Sequence, residues 1–183
     1  MSQRLLSDRT DRLLLLLWGC WSTLVLSLGY FPSQDGPSHI YNAFVLSNID
    51  TPPYAVVYRA AWELVPNLAG TALLMALGSI MPWALAEKAL VLLFTTAFIL
   101  GTRHLCRSRA TDTAQLTPPI VLLALPFALS APLFYGFYSY CIGMALVPWI
   151  WALAPTDRGI SRIVLSALCV LCWASHVASC LIG

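Results

Sequence analysis

The chain has 183 residues, of which 59% are hydrophobic and 10% charged, with a mean hydropathy of +0.77. So little polar surface excludes an ordinary soluble domain and reads as a polytopic membrane protein. A formal net charge of +2 excludes a strongly basic nucleic-acid-binding chain, so the information lies in where the ten basic residues fall.

In chain order, residues 1–12 form a tail carrying Arg4, Arg9 and Arg12. The apolar run Leu13 to Phe31 follows it as the core of a signal peptide would. It is long and lacks an A-x-A cleavage site, which makes it an uncleaved first span. A spanning helix needs about 20 largely apolar residues. Trp83 to Thr102, Phe137 to Ala154 and Ile163 to Ile182 also meet that requirement, as does Pro118 to Tyr135 with a kink expected at Pro126.

Val65 to Met81 is long enough to be a sixth span, and the charges decide against it. If it crossed, a cytoplasmic tail would put four basic residues inside and six outside, against the positive-inside rule. If it does not cross, the tail arginines join Arg103, Arg107, Arg109, Arg158 and Arg162 on the cytoplasmic side. Only Arg59 and Lys88 then lie on the far side. Val65 to Met81 becomes an outer juxtamembrane helix, with Ala69, Ala72, Ala76 and Ser79 as a small-residue packing face.

The expected fold is therefore an all-α, polytopic transmembrane helix bundle of about five spans plus outer juxtamembrane helices. Residues 1–183 form one membrane-embedded domain, 1–12 a cytoplasmic tail and 32–82 an extracytoplasmic loop. The last run ends at Gly183 without a polar tail, so the chain is expected to be the amino-terminal part of a longer protein. Cys20, Cys141, Cys169, Cys172 and Cys180 lie in or beside apolar runs and read as packing residues.

Candidate chemistry gathers on the outer side. Asp35 fits two roles: a general base at the membrane interface, or the N-cap of a helix starting at Gly36-Pro37, accepting the Ser38 N–H. His39, four residues on, shares its face. His176 is an ionisable group in an apolar run, about 21 Å from Arg162 at helical rise and so on the same side as Asp35. Tyr138 and Tyr140, with Phe134, Tyr135 and Phe137, form an aromatic belt or a sugar-stacking surface. Arg59 is the outer arginine available to a lipid-linked phosphate, and it is four residues from Glu63 on an expected helix.

The segment Asp35-Gly-Pro37-Ser-His39 with Asn42-Ala43, the turn Gly136-Phe137-Tyr138-Ser-Tyr140 and the late pair His176-Val177 resemble motifs in a group of uncharacterised bacterial polytopic membrane proteins. That group is similar to the amino-terminal half of the family C fold membrane glycosyltransferases, such as the aminoarabinose and protein mannosyl transferases. The resemblance implies transfer of a sugar from a polyprenyl-phosphate donor at the extracytoplasmic face of the bacterial inner membrane, with the amino terminus cytoplasmic. It casts Asp35 and His39 as catalytic and Arg59, His176, Tyr138 and Tyr140 as substrate-binding, with the bilayer and a lipid-linked sugar as partners. Many members carry two acidic residues where this chain has Gln34-Asp35-Gly36. A lone general base then fits better than a metal ligand pair, although a divalent metal, held by Asp35, His39 and His176, stays open as the one cofactor. The competing reading is a non-catalytic membrane protein, a transporter component or scaffold.

Overall fold

The computed structural model describes residues 9–60, 66–109, 119–154 and 159–182; among these every regular element is helical and there is no strand. Helix α1 (Arg9–Ser27) begins inside the basic tail, so residues 9–12 are its first turn. Asp11 sits there, where a carboxylate complements the positive end of the helix. The expected outer loop folds into α2 (Gly36–Ser47), the single turn α3 (Tyr54–Val57) and α4 (Ala69–Gly78). The ten residues of α4 rise about 15 Å, against roughly 30 Å for a bilayer core. Val65 and Glu63 lie outside the described residues.

The small-residue face expected on α4 does not pack. Ala72, Ala76 and Ser79 are exposed, whereas Gly70 and Leu74 are buried and Leu73 and Leu77 lean on the core. Leucines bury more apolar area than alanines, and that decides which side of the helix turns inward.

Helix α5 (Trp83–Arg109) is the centre of the molecule, packing against α1, α2, α4 and α8. The expected span Pro118 to Tyr135 is instead a 3₁₀ helix (Pro119–Leu123) followed by α6 (Ala124–Ala128) and α7 (Ala131–Tyr135). Pro126 lies within α6, and the break falls at Leu129 and Ser130. Pro132 then occupies the first turn of α7, where no helical N–H is required. Helix α8 (Tyr138–Leu153) packs on α5 on one side and on α9 (Gly159–Ser175) and α10 (Val177–Ile182) on the other. The expected last run is divided at His176.

Helix α1 is fastened to α5 at both ends. Arg103 donates from Nε and Nη2 to the two oxygens of Asp11 at 2.7 and 2.6 Å, and Arg107 lies 3.7 Å from the same carboxylate. At the opposite end the Lys88 ammonium donates to the carbonyls of Leu26 and Leu28, where α1 runs out of helical partners. Lys88 and Arg103 are about 22 Å apart along α5 at helical rise, so the two clamps set an antiparallel pair.

Among the described residues α5 is the one helix long and apolar enough to cross a membrane. Helices α8 and α9, with 16 and 17 residues, fall short of the lengths expected for them. Helix α9 turns Cys172 and Ser175 inward against Gly143 of α8 while Ile163, Val164, Val170 and Leu171 face outward. Helix α1 likewise exposes Leu13, Leu15, Leu16, Leu24 and Leu26.

The Asp11 clamp generates a stability prediction. Asp11→Ala removes a bidentate acceptor that is 6% exposed; a hydrogen bond to a charged group is worth about 1.5–3 kcal/mol. The expected result is a lower thermal unfolding midpoint in detergent, partly restored in the double variant Asp11→Ala/Arg103→Met. An unchanged midpoint in the single variant removes the clamp from the stability of the fold.

Candidate functional site

Two segments a hundred residues apart in sequence are pressed together here. Residues 31–35 run from α1 to α2, held by Phe31, which stacks on Phe134 at 6.0 Å and meets Trp21 edge-on at 6.3 Å. The Gln34 and Asp35 N–H groups donate to the carbonyls of Phe134 and Tyr135 at 2.8 and 3.2 Å. Opposite them Gly136 turns the chain from α7 into α8 at φ +85°, a conformation that favours glycine. A Cβ at Gly136 would lie 3.0 Å from the Gly36 nitrogen and 3.1 Å from the Asp35 Cβ, so the closeness of the turns requires a glycine as well.

Asp35 occupies the N-cap position of α2, but its side chain makes no capping hydrogen bond. The expected bond to Ser38 is absent because Asp35 has helical rather than extended dihedrals, φ −100° and ψ −1°. The carboxylate is half-buried beside Gly136. His39 follows one turn later, its N–H bonded to the Asp35 carbonyl at 3.1 Å and its ring 5.5 Å from that of Tyr138.

Beneath this pair lies a group that sequence reasoning passed over. Glu87 of α5 is 1% exposed. Its Oε1 accepts from the Tyr138 hydroxyl at 2.5 Å and from Ser33 Oγ at 3.1 Å, and Ser33 and Tyr138 are 2.8 Å apart. Gly36 covers the triad closely: a Cβ there would overlap Ser33 Oγ and Glu87 Oε1 and come within 2.7 Å of the Tyr138 hydroxyl. The signal was present, since Glu87-Lys88 is the charged pair inside the apolar run from Trp83 to Thr102. Lys88 had been used only to count charges. Nothing about Ser33 marks it in sequence; proximity alone recruits it.

The other expected site residues are placed differently. Tyr138 is fully buried and its hydroxyl is committed to Glu87, so it is a support rather than a surface contact. Tyr140, two positions on, faces another side of α8 and meets the His176 ring edge-on at 5.4 Å. It lines a cavity of about 100 Å³ with Phe94, Phe98 and Met144. The His176 Nδ1 accepts the Ala178 N–H at 3.3 Å where α9 gives way to α10. Arg59 is exposed beyond the end of α3 and not on a helix. Phe134, Tyr135 and Phe137 stay exposed in the manner of a belt. Among the described residues no three His, Cys, Asp or Glu side chains converge to hold a metal ion, and Asp35, His39 and His176, the set left open above, do not cluster.

On the opposite flank of α2 from His39 an open cleft of about 340 Å³ is lined by Tyr30, Phe31, Ile40, Tyr41, Phe44 and Trp83, with Glu87 as its carboxylate. The Tyr41 and Tyr58 hydroxyls are 3.0 Å apart, and this hydrogen bond raises the Tyr41 phenol above its ordinary pKa. The arrangement as a whole offers a half-buried carboxylate, a histidine one helical turn further on and a buried carboxylate behind them. No protein-family model, curated protein or solved structure matches this chain.

Gly36→Ala is expected to destabilise the fold by about 1–3 kcal/mol, the usual cost of overpacking, because its methyl would displace Ser33 and Glu87. Chemical unfolding in detergent measures this; equal stability of Gly36→Ala and wild type would mean that the triad yields freely.

Proposed function

We propose that this chain is a multi-pass membrane glycosyltransferase-like protein that moves a sugar from a polyprenyl-phosphate donor, with Asp35 as general base. The observation that carries the reading is the docking of Gly136 against Asp35 and Gly36. It brings two of the three segments of the resemblance together, while His176 packs on Tyr140. A carboxylate held at the start of α2 and free of capping duty can accept a proton from an acceptor hydroxyl. His39 beside it can hold or relay that proton.

The membrane part of the proposal is supported by surfaces. The outward leucines of α1 and the outward branched residues of α9, with small and polar residues turned inward, suit a lipid solvent. Charge is separated along α5, with Arg103, Arg107 and Arg109 at one end and Glu87 and Lys88 near the other. In this reading the arginine end is cytoplasmic and the Asp35 end extracytoplasmic.

A non-catalytic transporter component or scaffold is favoured by one observation, the complete burial of Tyr138, which makes the polar triad serve packing.

The enzymatic reading predicts that Asp35→Asn abolishes sugar transfer from the polyprenyl-phosphate donor while the protein inserts and accumulates as before. Transfer at the wild-type rate would remove Asp35 from the mechanism. For topology, single cysteines replace Asn42 and Ser108, both exposed, in a cysteine-free background. An impermeant maleimide is expected to label Asn42→Cys in intact cells and Ser108→Cys only after permeabilisation. Labelling of both from one side would refute a membrane crossing by α5.

A further inference from the structure

The cleft beside α2 is chemically distinct from the Asp35 surface. At 100° per residue, Pro37, Ile40, Tyr41 and Phe44 form one side of α2, and Asp35 and His39 fall near the opposite side. Aromatic rings make up most of its wall: Tyr30, Phe31, Tyr41, Phe44 and Trp83. Phe44 and Trp83 meet edge-to-face at 5.9 Å, which fixes their orientation. Among these rings stands one carboxylate, Glu87, and it is 1% exposed.

Glu87 is only half satisfied. Among the described residues both of its hydrogen bonds, from Tyr138 and from Ser33, end on Oε1, and Oε2 has no donor. Oε2 is not one of the enclosed polar atoms left without a partner, so it opens into the cleft, where a ligand N–H can donate to it. The neighbouring Lys88 does not supply that donor. One position further along α5, its ammonium is turned to the carbonyls of Leu26 and Leu28.

We propose that this cleft binds a primary ammonium group on a short apolar stem, with Glu87 Oε2 as its counter-ion and acceptor and the aromatic walls as its lining. Charge selects the class: the faces of Tyr, Phe and Trp attract cations, and a carboxylate among them repels anionic ligands. A neutral hydroxyl would satisfy Oε2 but gain nothing from the rings' attraction for a cation. A primary ammonium does both, whereas a quaternary one has no N–H to give. The ammonium can come from a soluble amine or from an aminated lipid headgroup. This inference does not rest on the glycosyl-transfer reading and stands or falls separately from it.

The test uses the full chain in nanodiscs of phosphatidylglycerol, with butylammonium and 1-butanol as probes of matched stem, followed by saturation-transfer NMR. Butylammonium is expected to bind saturably and at least tenfold more tightly than 1-butanol, and Glu87→Gln to erase that preference. Should Glu87→Gln fail to fold, Tyr41→Leu tests the wall at an exposed position; it is expected to weaken butylammonium at least threefold and leave 1-butanol unchanged. Equal binding of the two probes to wild type, or an undiminished preference in both variants, overturns the proposal. Where the preference is found, discs containing phosphatidylethanolamine identify the source. Loss of butylammonium binding in those discs assigns the site to the lipid headgroup, and retention assigns it to a soluble amine.

Discussion

A carboxylate carried into a packed interior must find donors or lose its charge. Glu87 is that carboxylate, and the arrangement of the elements around the start of α5 follows from how it is satisfied. Tyr138 must reach it from α8 and Ser33 from the turn after α1, which brings both segments onto α5. Gly36 must be a glycine because the triad fills the space a side chain would need, and Gly136 must be one because it both turns the chain and touches the start of α2. Asp35 and His39 are thereby held over the triad by backbone constraints more than by bonds of their own.

The second organising constraint is the double fastening of α1 to α5. Two helices with leucine-rich faces have few directional contacts to set their register, because apolar contacts are non-directional and one leucine contact resembles another. Charge settles it. The Asp11–Arg103 pair and the Lys88 ammonium act at opposite ends of the same helix pair, and neither can be satisfied if the helices slide by a turn. This fixes where α1 ends, and so where the turn carrying Ser33 and Asp35 begins.

The boundaries of α5 and α8 were legible to within a few residues because their apolar runs are long and bounded by turn or charged residues. The run before α8 was expected to kink at Pro126, and its helix breaks at Leu129 and Ser130 instead. Hydropathy registers apolar content and cannot see that Pro132 is better placed starting a new helix than bending an old one. The packing face of α4 was misjudged for a related reason. A stripe of small residues permits close approach, but what turns inward is decided by the area its neighbours can cover. At the site, Asp35 and His39 were found by a short polar motif in an apolar chain, while Glu87 was overlooked although it is a charged residue in the second turn of an apolar helix.

By itself, the amino-acid sequence determined the helical class, the apolar stretches, the clustering of arginines at one end of α5 and the one-turn spacing of Asp35 and His39 at the start of α2. These are local properties, set by composition and by spacing of three to four residues. Only the tertiary structure decided that Gly136 meets Gly36, that Tyr138 is a buried support rather than a contact surface, that His176 belongs with Tyr140 and not with Asp35, and that Glu87 faces an aromatic cleft. The pairings of Gly36 with Gly136, Glu87 with Tyr138 and Tyr140 with His176 join residues 36 to 100 positions apart. Sequence spacing carries no record of them, because they arise from which buried polar atoms can satisfy one another once the helices have packed.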